Sequence, residues 1–242
     1  MKVVLGTKNK GKLNEFKSLI ENVNNLDINL KLESLESFKV DEPEENGFSF
    51  LENAYIKAKF YFDQIKLPIL SEDAGLEVYI PEFKMSSFFL PGIYSSRFYD
   101  YVFSNLDTFS KKFNIDKTFL KIFLEDISFM EKDKRNIKAL LFLLEKKYKN
   151  DLENLKIKAS FVSYLCLVTN DNFFLFSKGK VDGYILSEER GDKGFGYDPI
   201  FFYKPFNKTF AELTLKEKNK VSHRARAFKV LLENIKRLKN EF

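Results

Sequence analysis

Short apolar runs alternate with amphipathic stretches along this chain, and their periods predict most of its elements. Residues 2–5 read as a short buried strand, after which Leu13, Phe16, Leu19, Ile20 and Val23 recur at helical spacing. A second helix is predicted on the stripe Phe48, Leu51, Tyr55, Ala58 and Phe62, ended by Pro68. Glu52, Asn53 and Lys57 fall off that stripe, so Lys57 taken alone reads as a solvated lysine. Residues 69–78, Ile-Leu-Ser-Glu-Asp-Ala-Gly-Leu-Glu-Val, read as strand, tight turn, strand, with Glu72 and Asp73 where the first strand ends. From 98 to 154 glycine and proline are absent, and Leu120, Phe123, Leu124, Ile127 and then Ile137, Leu140, Leu141, Leu144 mark a lobe of about three helices. Lys132, Asp133, Lys134 and Arg135 fall in a connecting turn of that lobe. Residues 159–168 and 173–177 look like a β-hairpin across 169–172, and strands at 180–186 and 199–203 complete a sheet. A last helix carries Phe228, Leu231, Leu232, Ile235 and Leu238, with Ser222 placed to cap it. The mixture of strands and helices places the chain in the α/β (mixed α+β) class. Without repeats or low-complexity linkers, residues 1–242 are expected to form one domain with a helical lobe at about 98–158.

Composition narrows the chemistry. The single cysteine, Cys166, excludes an internal disulfide and any cysteine-cluster zinc site, and its apolar neighbours assign it to packing. With one histidine, His-rich transition-metal sites are excluded as well, so any metal is held by carboxylates, which favours magnesium or manganese. No stretch approaches the roughly 20 apolar residues of a membrane span, and the N-terminus shows no signal-peptide pattern, so a cytoplasmic location is expected. The net charge of +5 comes from lysines spread along the chain, a distribution that suits a small polyanion or a merely solvated surface.

Two polar constellations stand at opposite ends of the sequence. Near the start, Thr7, Lys8, Asn9, Lys10, Gly11 and Lys12 form a basic loop between strand and helix, where unpaired N–H groups and lysine charges favour phosphate. The spacing is not that of a Walker loop. Glu72 and Asp73, set beside a third carboxylate such as Glu45, have the oxygen ligands a hard cation needs. Near the end, Gly194-Phe195-Gly196-Tyr197-Asp198 supplies a flexible turn with an exposed ring face for a planar base. Lys218, His223 and Arg224 add hydrogen-bond donors. Together they read as a nucleotide pocket.

In their order along the chain these pieces resemble the inosine/xanthosine triphosphate pyrophosphatases. The matching segments are 7–12, Glu44-Glu45-Asn46-Gly47 with Glu52-Asn53-Ala54 and Lys57, Glu72-Asp73-Ala74-Gly75, 91–97, 194–199, Ala211-Glu212-Leu213, Lys218 and Ser222-His223-Arg224. The resemblance implies an elongated fold of two lobes around a mixed sheet with flanking helices, the active site in the cleft between the lobes, and a homodimer. It implies magnesium-dependent hydrolysis of ITP, dITP and XTP to the monophosphate and pyrophosphate. Carried over, residues 7–12 would line the triphosphate and Asp73 would be general base and metal ligand. Glu45 and Glu72 would complete the carboxylate site, and Lys57 would neutralise phosphate charge. Phe195 would stack on the purine, Gly196, Tyr197 and Asp198 would wall its pocket, and Lys218, His223 and Arg224 would address its 6-oxo edge. Ala74 stands where the family commonly has serine, leaving only its backbone N–H, and the helical middle is longer than the family pattern. No nucleic-acid or membrane partner is expected. The alternatives are a related nucleotide pyrophosphatase with another base preference and a non-catalytic binding module, although no basic stripe interleaved with aromatics supports the latter.

Overall fold

The computed structural model describes residues 2–21, 30–80, 89–149, 156–170 and 173–240. Val23, the predicted hairpin turn at 171–172 and the end of the predicted helical lobe at 150–154 lie outside them. The strands are β1 (Lys2–Leu5), β2 (Lys31–Ser34), β3 (Ile69–Val78), β4 (Leu90–Pro91), β5 (Ile157–Asn170), β6 (Phe173–Ile185), β7 (Phe201–Tyr203) and β8 (Lys208–Thr209). They form one mixed sheet in the order β2-β1-β3-β5-β6-β7-β8, with β4 on β3. β1 runs parallel to β2 and β3, whereas the β3–β4, β6–β7 and β7–β8 pairs are antiparallel. The helices are α1 (Lys10–Glu21), α2 (Phe50–Ile65), α3 (Phe98–Ser104), α4 (Leu106–Phe113), α5 (Lys117–Asp126), α6 (Lys132–Lys147), α7 (Leu215–Val221) and α8 (His223–Asn240).

The chain makes two compact units. The first consists of Met1–Ala74, Phe161–Val181 and Thr214–Phe242, and the second of Gly75–Ser160 and Asp182–Leu213. In the first unit, strand alternation sorts the core into two layers. Val3, Leu5, Leu70, Leu165 and Leu167 face one way and pack with Phe16 of α1 and Phe228, Leu231 and Leu232 of α8. Val4, Ile69, Cys166 and Val168 face the other way and pack with Ala54, Ala58, Tyr61 and Phe62 of α2. Cys166 is fully buried there, and burial pushes its thiol up to about 12, in keeping with a packing role. In the second unit the helical stretch resolves into four helices, α3 to α6, rather than about three. Leu120, Leu124, Ile137, Leu140 and Leu144 are buried as their spacing predicts.

Four expectations change. Residues 132–135, read as a connecting turn, form the first turn of α6, the polar start of an amphipathic stretch that runs on to Lys147. Residues 69–78 are one continuous strand, not two strands around a turn, and Leu76–Val78 continues into pairing with β4. The segments 173–177 and 180–186 likewise belong to one long strand, β6. Gly179, between the two predicted segments, is a close approach: a Cβ there would lie 2.0 Å from the His223 carbonyl oxygen, so only glycine lets β6 pass the start of α8. Finally, the buried face of α2 is rotated from the predicted stripe. Phe48 is 89% and Leu51 38% exposed, while Phe50, Asn53, Ala54, Lys57, Ala58, Tyr61 and Phe62 point inward.

Candidate active site

Because β3 is unbroken, Glu72 and Asp73 project from opposite faces of the sheet. Asp73 faces α2, where its Oδ2 accepts from Asn53 Nδ2 at 3.1 Å and its Oδ1 from Lys57 Nζ at 3.3 Å. Asn53 and Lys57 are one helical turn apart, so both reach the same carboxylate. Lys57 Nζ also donates to Glu45 Oε2 at 3.0 Å, and Gly47 N–H donates to Asn53 Oδ1 at 2.8 Å, which fixes the segment carrying Glu45. Ser49 caps α2 by accepting from Glu52 N–H, while Glu52 accepts from Phe48 N–H.

This cluster carries two carboxylates against one ammonium. Burial is the largest influence on Asp73 and pushes its pKa up; Lys57 and Lys12 oppose that, and Glu45 adds to it, leaving the carboxyl above its usual range. Burial acts against the charge of Lys57, but Asp73 and Glu45 outweigh it and raise its pKa. Lys57 therefore stays protonated between the two acids.

On the other face of β3, Glu72 accepts from Arg224 Nε at 2.8 Å, Arg224 Nη2 at 3.0 Å and Ser163 Oγ at 2.6 Å, with Lys12 Nζ 3.3 Å away. Arg224 Nη1 also pairs with Glu15, which in turn holds Lys218 Nζ at 2.7 Å. Burial alone would raise the pKa of Glu72, but Arg224 and Lys12 hold it well below the usual range; Glu15, under the same opposition, is lowered to about 2. The α7–α8 corner builds this side. Thr214 and Glu217 cap α7 reciprocally, and Ser222 Oγ accepts from Ala225 N–H to start α8, as its position predicted. His223 stacks on Phe161 with ring centroids 4.9 Å apart. Burial drives its pKa down to about 3, so the imidazole is neutral, and its Nδ1 is buried without a hydrogen-bond partner.

The segment 7–12 is less of a loop than predicted. Asn9 Oδ1 accepts from Lys12 N–H and caps α1, so Lys10, Gly11 and Lys12 form its first helical turn, and Asn9 N–H donates to Thr7 Oγ1. Lys8 pairs with Glu42 at 3.0 Å. That turn contains no acidic residue, and its lysines sit at the positive end of the helix dipole, an arrangement that favours an arriving anion. Ala74 is half-buried and follows strand alternation onto the side of Glu72.

Phe195, Gly196, Tyr197 and Asp198 belong to the second unit. Asp198 Oδ2 accepts from Phe195 N–H at 2.9 Å and Tyr197 Oη donates to the Ser95 carbonyl at 3.0 Å. Gly194 and Gly196 have φ of +79° and +60°, and a Cβ on Gly194 would collide with the Asp198 carboxylate. Asp198 and Tyr197 are thus spent on shaping the turn, and Phe195 is left half-buried.

The three carboxylates expected to share a metal do not converge: Glu45 and Asp73 meet at Lys57, whereas Glu72 faces Arg224. Among the described residues no group of three or more His, Cys, Asp or Glu side chains is arranged around a common metal position. Sequence reasoning missed Glu15, Asn53 and Ser163. Asn53 stands one turn before Lys57 and inside the Glu52-Asn53-Ala54 segment, a spacing that marks it; Glu15 reads as one more polar residue of an amphipathic helix, and Ser163 lies in an apolar run, so neither gives a separate signal.

The profile of the Ham1 family matches residues 3–119 and 117–234. A protein named dITP/XTP pyrophosphatase from Aquifex aeolicus is 38% identical over 242 residues, covering 100% of both chains. One of the same name from Hydrogenobaculum is 36% identical, covering 98% of this chain and 100% of that one. Among solved structures, a HAM1 protein from Coxiella burnetii superposes with a TM-score of 0.70 at 30% identity over 100% of both chains. The Staphylococcus aureus Ham1 protein gives 0.65 at 26% identity, covering 98% of each chain. The chain belongs to the Ham1 family.

Proposed function

We propose that this protein hydrolyses ITP, dITP and XTP to the nucleoside monophosphate and pyrophosphate. The observation that carries the reading is the Asp73 carboxylate, buried, raised in pKa and held by Asn53 and Lys57. The names of the full-length relatives support the substrate class. A water oxygen bonds to the α-phosphorus, the bond to the α–β bridging oxygen breaks with departure of pyrophosphate, and the water's proton passes to Asp73. A carboxylate whose pKa is raised by burial holds a proton more readily than a free one, which suits a base. Lys57 and the lysines at the start of α1 offset phosphate charge. Glu45 and Asp73 fit a magnesium or manganese ion, because their carboxylate oxygens are hard donors and both already lie against one ammonium. Such an ion would neutralise phosphate charge and acidify a water at the site. We assign Glu72 to holding Arg224 in place.

For the base, each unit offers a feature of its own: in the second, Phe195 has a ring face for stacking, and in the first, the unpartnered Nδ1 of His223 is a buried polar atom that a hydrogen-bond donor would satisfy. Lys218 and Arg224 set the positive surroundings in which a 6-oxo group is preferred to a 6-amino group. The reading includes a homodimer, for which the half-exposed face of Leu51, Tyr55, Phe174 and Phe176 on the first unit is the assigned surface. Sedimentation of the wild type and Phe174→Glu tests it, a monomeric wild type being the contrary result. The activity is tested by pyrophosphate release from ITP, dITP, XTP, GTP and ATP with and without magnesium. Metal-dependent release from the first three is expected; equal turnover of ATP and ITP would refute the selectivity.

A further inference from the structure

The turn that carries Phe195 is held from outside by a residue with no assigned role. Gly196 N–H donates to Asp133 Oδ2 at 2.7 Å, across 63 positions of sequence. Asp133 lies in the first turn of α6, but its carboxylate makes this hydrogen bond to the turn, and Glu131, the residue before the helix, makes no side-chain cap. One helical turn further, Asn136 is buried and grips a second segment: its Oδ1 accepts from Tyr99 N–H at 2.8 Å and its Nδ2 donates to the Ser96 carbonyl at 3.4 Å. The two segments are joined to each other by Tyr197 Oη on the Ser95 carbonyl. Ser95 is itself fixed, since its Oγ accepts from Leu76 N–H and donates to the Gly92 carbonyl. The start of α6, the segment 95–99 and the turn 194–198 therefore form a closed triangle of hydrogen bonds, all inside the second unit.

The side chains that make these bonds differ in burial. Asn136, Tyr197 and Ser95 are covered, whereas Asp133 is exposed and can be changed without opening the core. Gly196 is the residue immediately after Phe195 and sits at a φ of +60° with open space where a side chain would be. Glycine at that φ has wide freedom, and the N–H bond to Asp133 removes it. Asp198 holds the N–H of Phe195, so the ring's peptide is restrained from both sides, by Asp198 before it and Asp133 after it.

We propose that Asp133 is a positioning residue for base recognition, fixing the Phe195 ring through the Gly196 N–H. The claim rests on the nucleotide-hydrolysis reading, because the base is what Phe195 meets. A ring held in place stacks without first losing its own freedom, so the loss of Asp133 weakens base binding and leaves the phosphate chemistry at Asp73 alone. Asparagine keeps an acceptor oxygen at the same point and restores most of the effect; alanine does not.

The test measures ITP hydrolysis by the wild type, Asp133→Ala, Asp133→Asn, Phe195→Ala and the double variant Asp133→Ala/Phe195→Ala, with amide hydrogen exchange at Gly196 in the wild type and Asp133→Ala. The expected result is a rise in KM of roughly three- to tenfold for Asp133→Ala, with kcat within about twofold. Asp133→Asn should fall near the wild type, and Asp133→Ala should add nothing once Phe195 is gone. Exchange at Gly196 should be faster in Asp133→Ala. Additive effects of the two alanines, or a fall in kcat and melting temperature with KM unchanged, would overturn the proposal. If the wild type turns over no ITP, the functional reading falls, and the base-recognition role falls with it. The Gly196 restraint is then judged on exchange alone, and unchanged exchange would overturn it as well.

Discussion

Glu72 and Asp73 are consecutive acids on one strand, and the two sides of β3 treat them in opposite ways. On the α8 side, Arg224, Lys218 and Lys12 give three positive charges against the two of Glu15 and Glu72, an excess of one. Glu72 is fully partnered there and ionises below its usual range. On the α2 side, Glu45 and Asp73 give two negative charges against the one of Lys57, an excess of one in the other direction. Asp73 is buried without enough positive charge to offset its desolvation, and its pKa rises. The network around Glu72 outweighs the cost of burying its charge, whereas the one around Asp73 does not. On the proposed function, the strand separates support from chemistry by the thickness of its own backbone.

The sharpest way to break that comparison is Asp73→Asn. Loss of the base should lower kcat by about 10²–10⁴-fold, and further if metal binding is also lost. The same change should raise the melting temperature, since it removes a buried carboxylate that the fold strains to ionise. A variant both inactive and less stable would show that Asp73 supports the fold in the way Glu72 does.

Glu72→Gln is the converse experiment. It leaves Arg224 buried with Glu15 as its remaining carboxylate, and removing one partner of a buried pair costs about 3–5 kcal/mol. Urea unfolding measures the loss. The activity of the fraction still folded should fall far less than in Asp73→Asn; equal inactivation with unchanged stability would make Glu72 part of the chemistry after all.

Only part of this contrast is legible in the sequence. The apolar spacing of α1, α5, α6 and α8 finds those helices, because each buries one face against a layer of the core. The same reasoning misplaces the face of α2, since it counts Leu51 and Tyr55 as inward and Lys57 as solvated. In the fold a buried carboxylate on β3 makes Asn53 and Lys57 the better inward residues, and Tyr55 turns out towards Phe174 and Phe176. Periodicity registers apolar residues, not the long-range partner that makes a polar one worth burying. The break predicted in β3 has a related origin: Glu-Asp-Ala-Gly has turn composition, yet cross-strand and ion-pair partners hold it extended. Motif order singled out Asp73 and Lys57, which the fold brings into one ion pair. It did not show that adjacent acids have different neighbours, which follows from alternation once the strand is known to be continuous.

The two sides also differ in their response to acid. His223, pushed down to about 3 from a usual 6.5, binds its proton more readily in the unfolded chain, so its contribution is complete above about pH 6.5 and falls away as pH drops. Glu15 and Glu72 add to this below their usual 4.5, because the fold keeps them ionised. Asp73 has the reverse sign: its raised pKa favours the fold at low pH, and that contribution is lost as pH rises through its folded value. The α8 side holds more groups, so net stability should decline from pH 6.5 to pH 4.5, with His223 giving a slope of at most about 1.4 kcal/mol per pH unit. His223→Asn should flatten that interval while leaving the steeper loss below pH 4.5. A wild type equally stable at pH 6.5 and 5 would mean that the imidazole is protonated in the fold.

The smallest effect belongs to Lys10, an exposed lysine in the first turn of α1. A lysine there opposes the helix dipole, so its presence does not serve the helix. If its purpose is to meet a polyphosphate, Lys10→Gln should raise KM for ITP by roughly two- to fivefold with kcat unchanged and should leave the melting temperature level or slightly higher. Added salt should narrow the gap between variant and wild type, because an exposed charge acts through screened attraction. A KM that does not move would reduce Lys10 to surface charge. The positive charge that matters would then be that of the half-buried Lys12 with the buried Lys218 and Arg224, and the phosphate would be read by the same network that anchors Glu72.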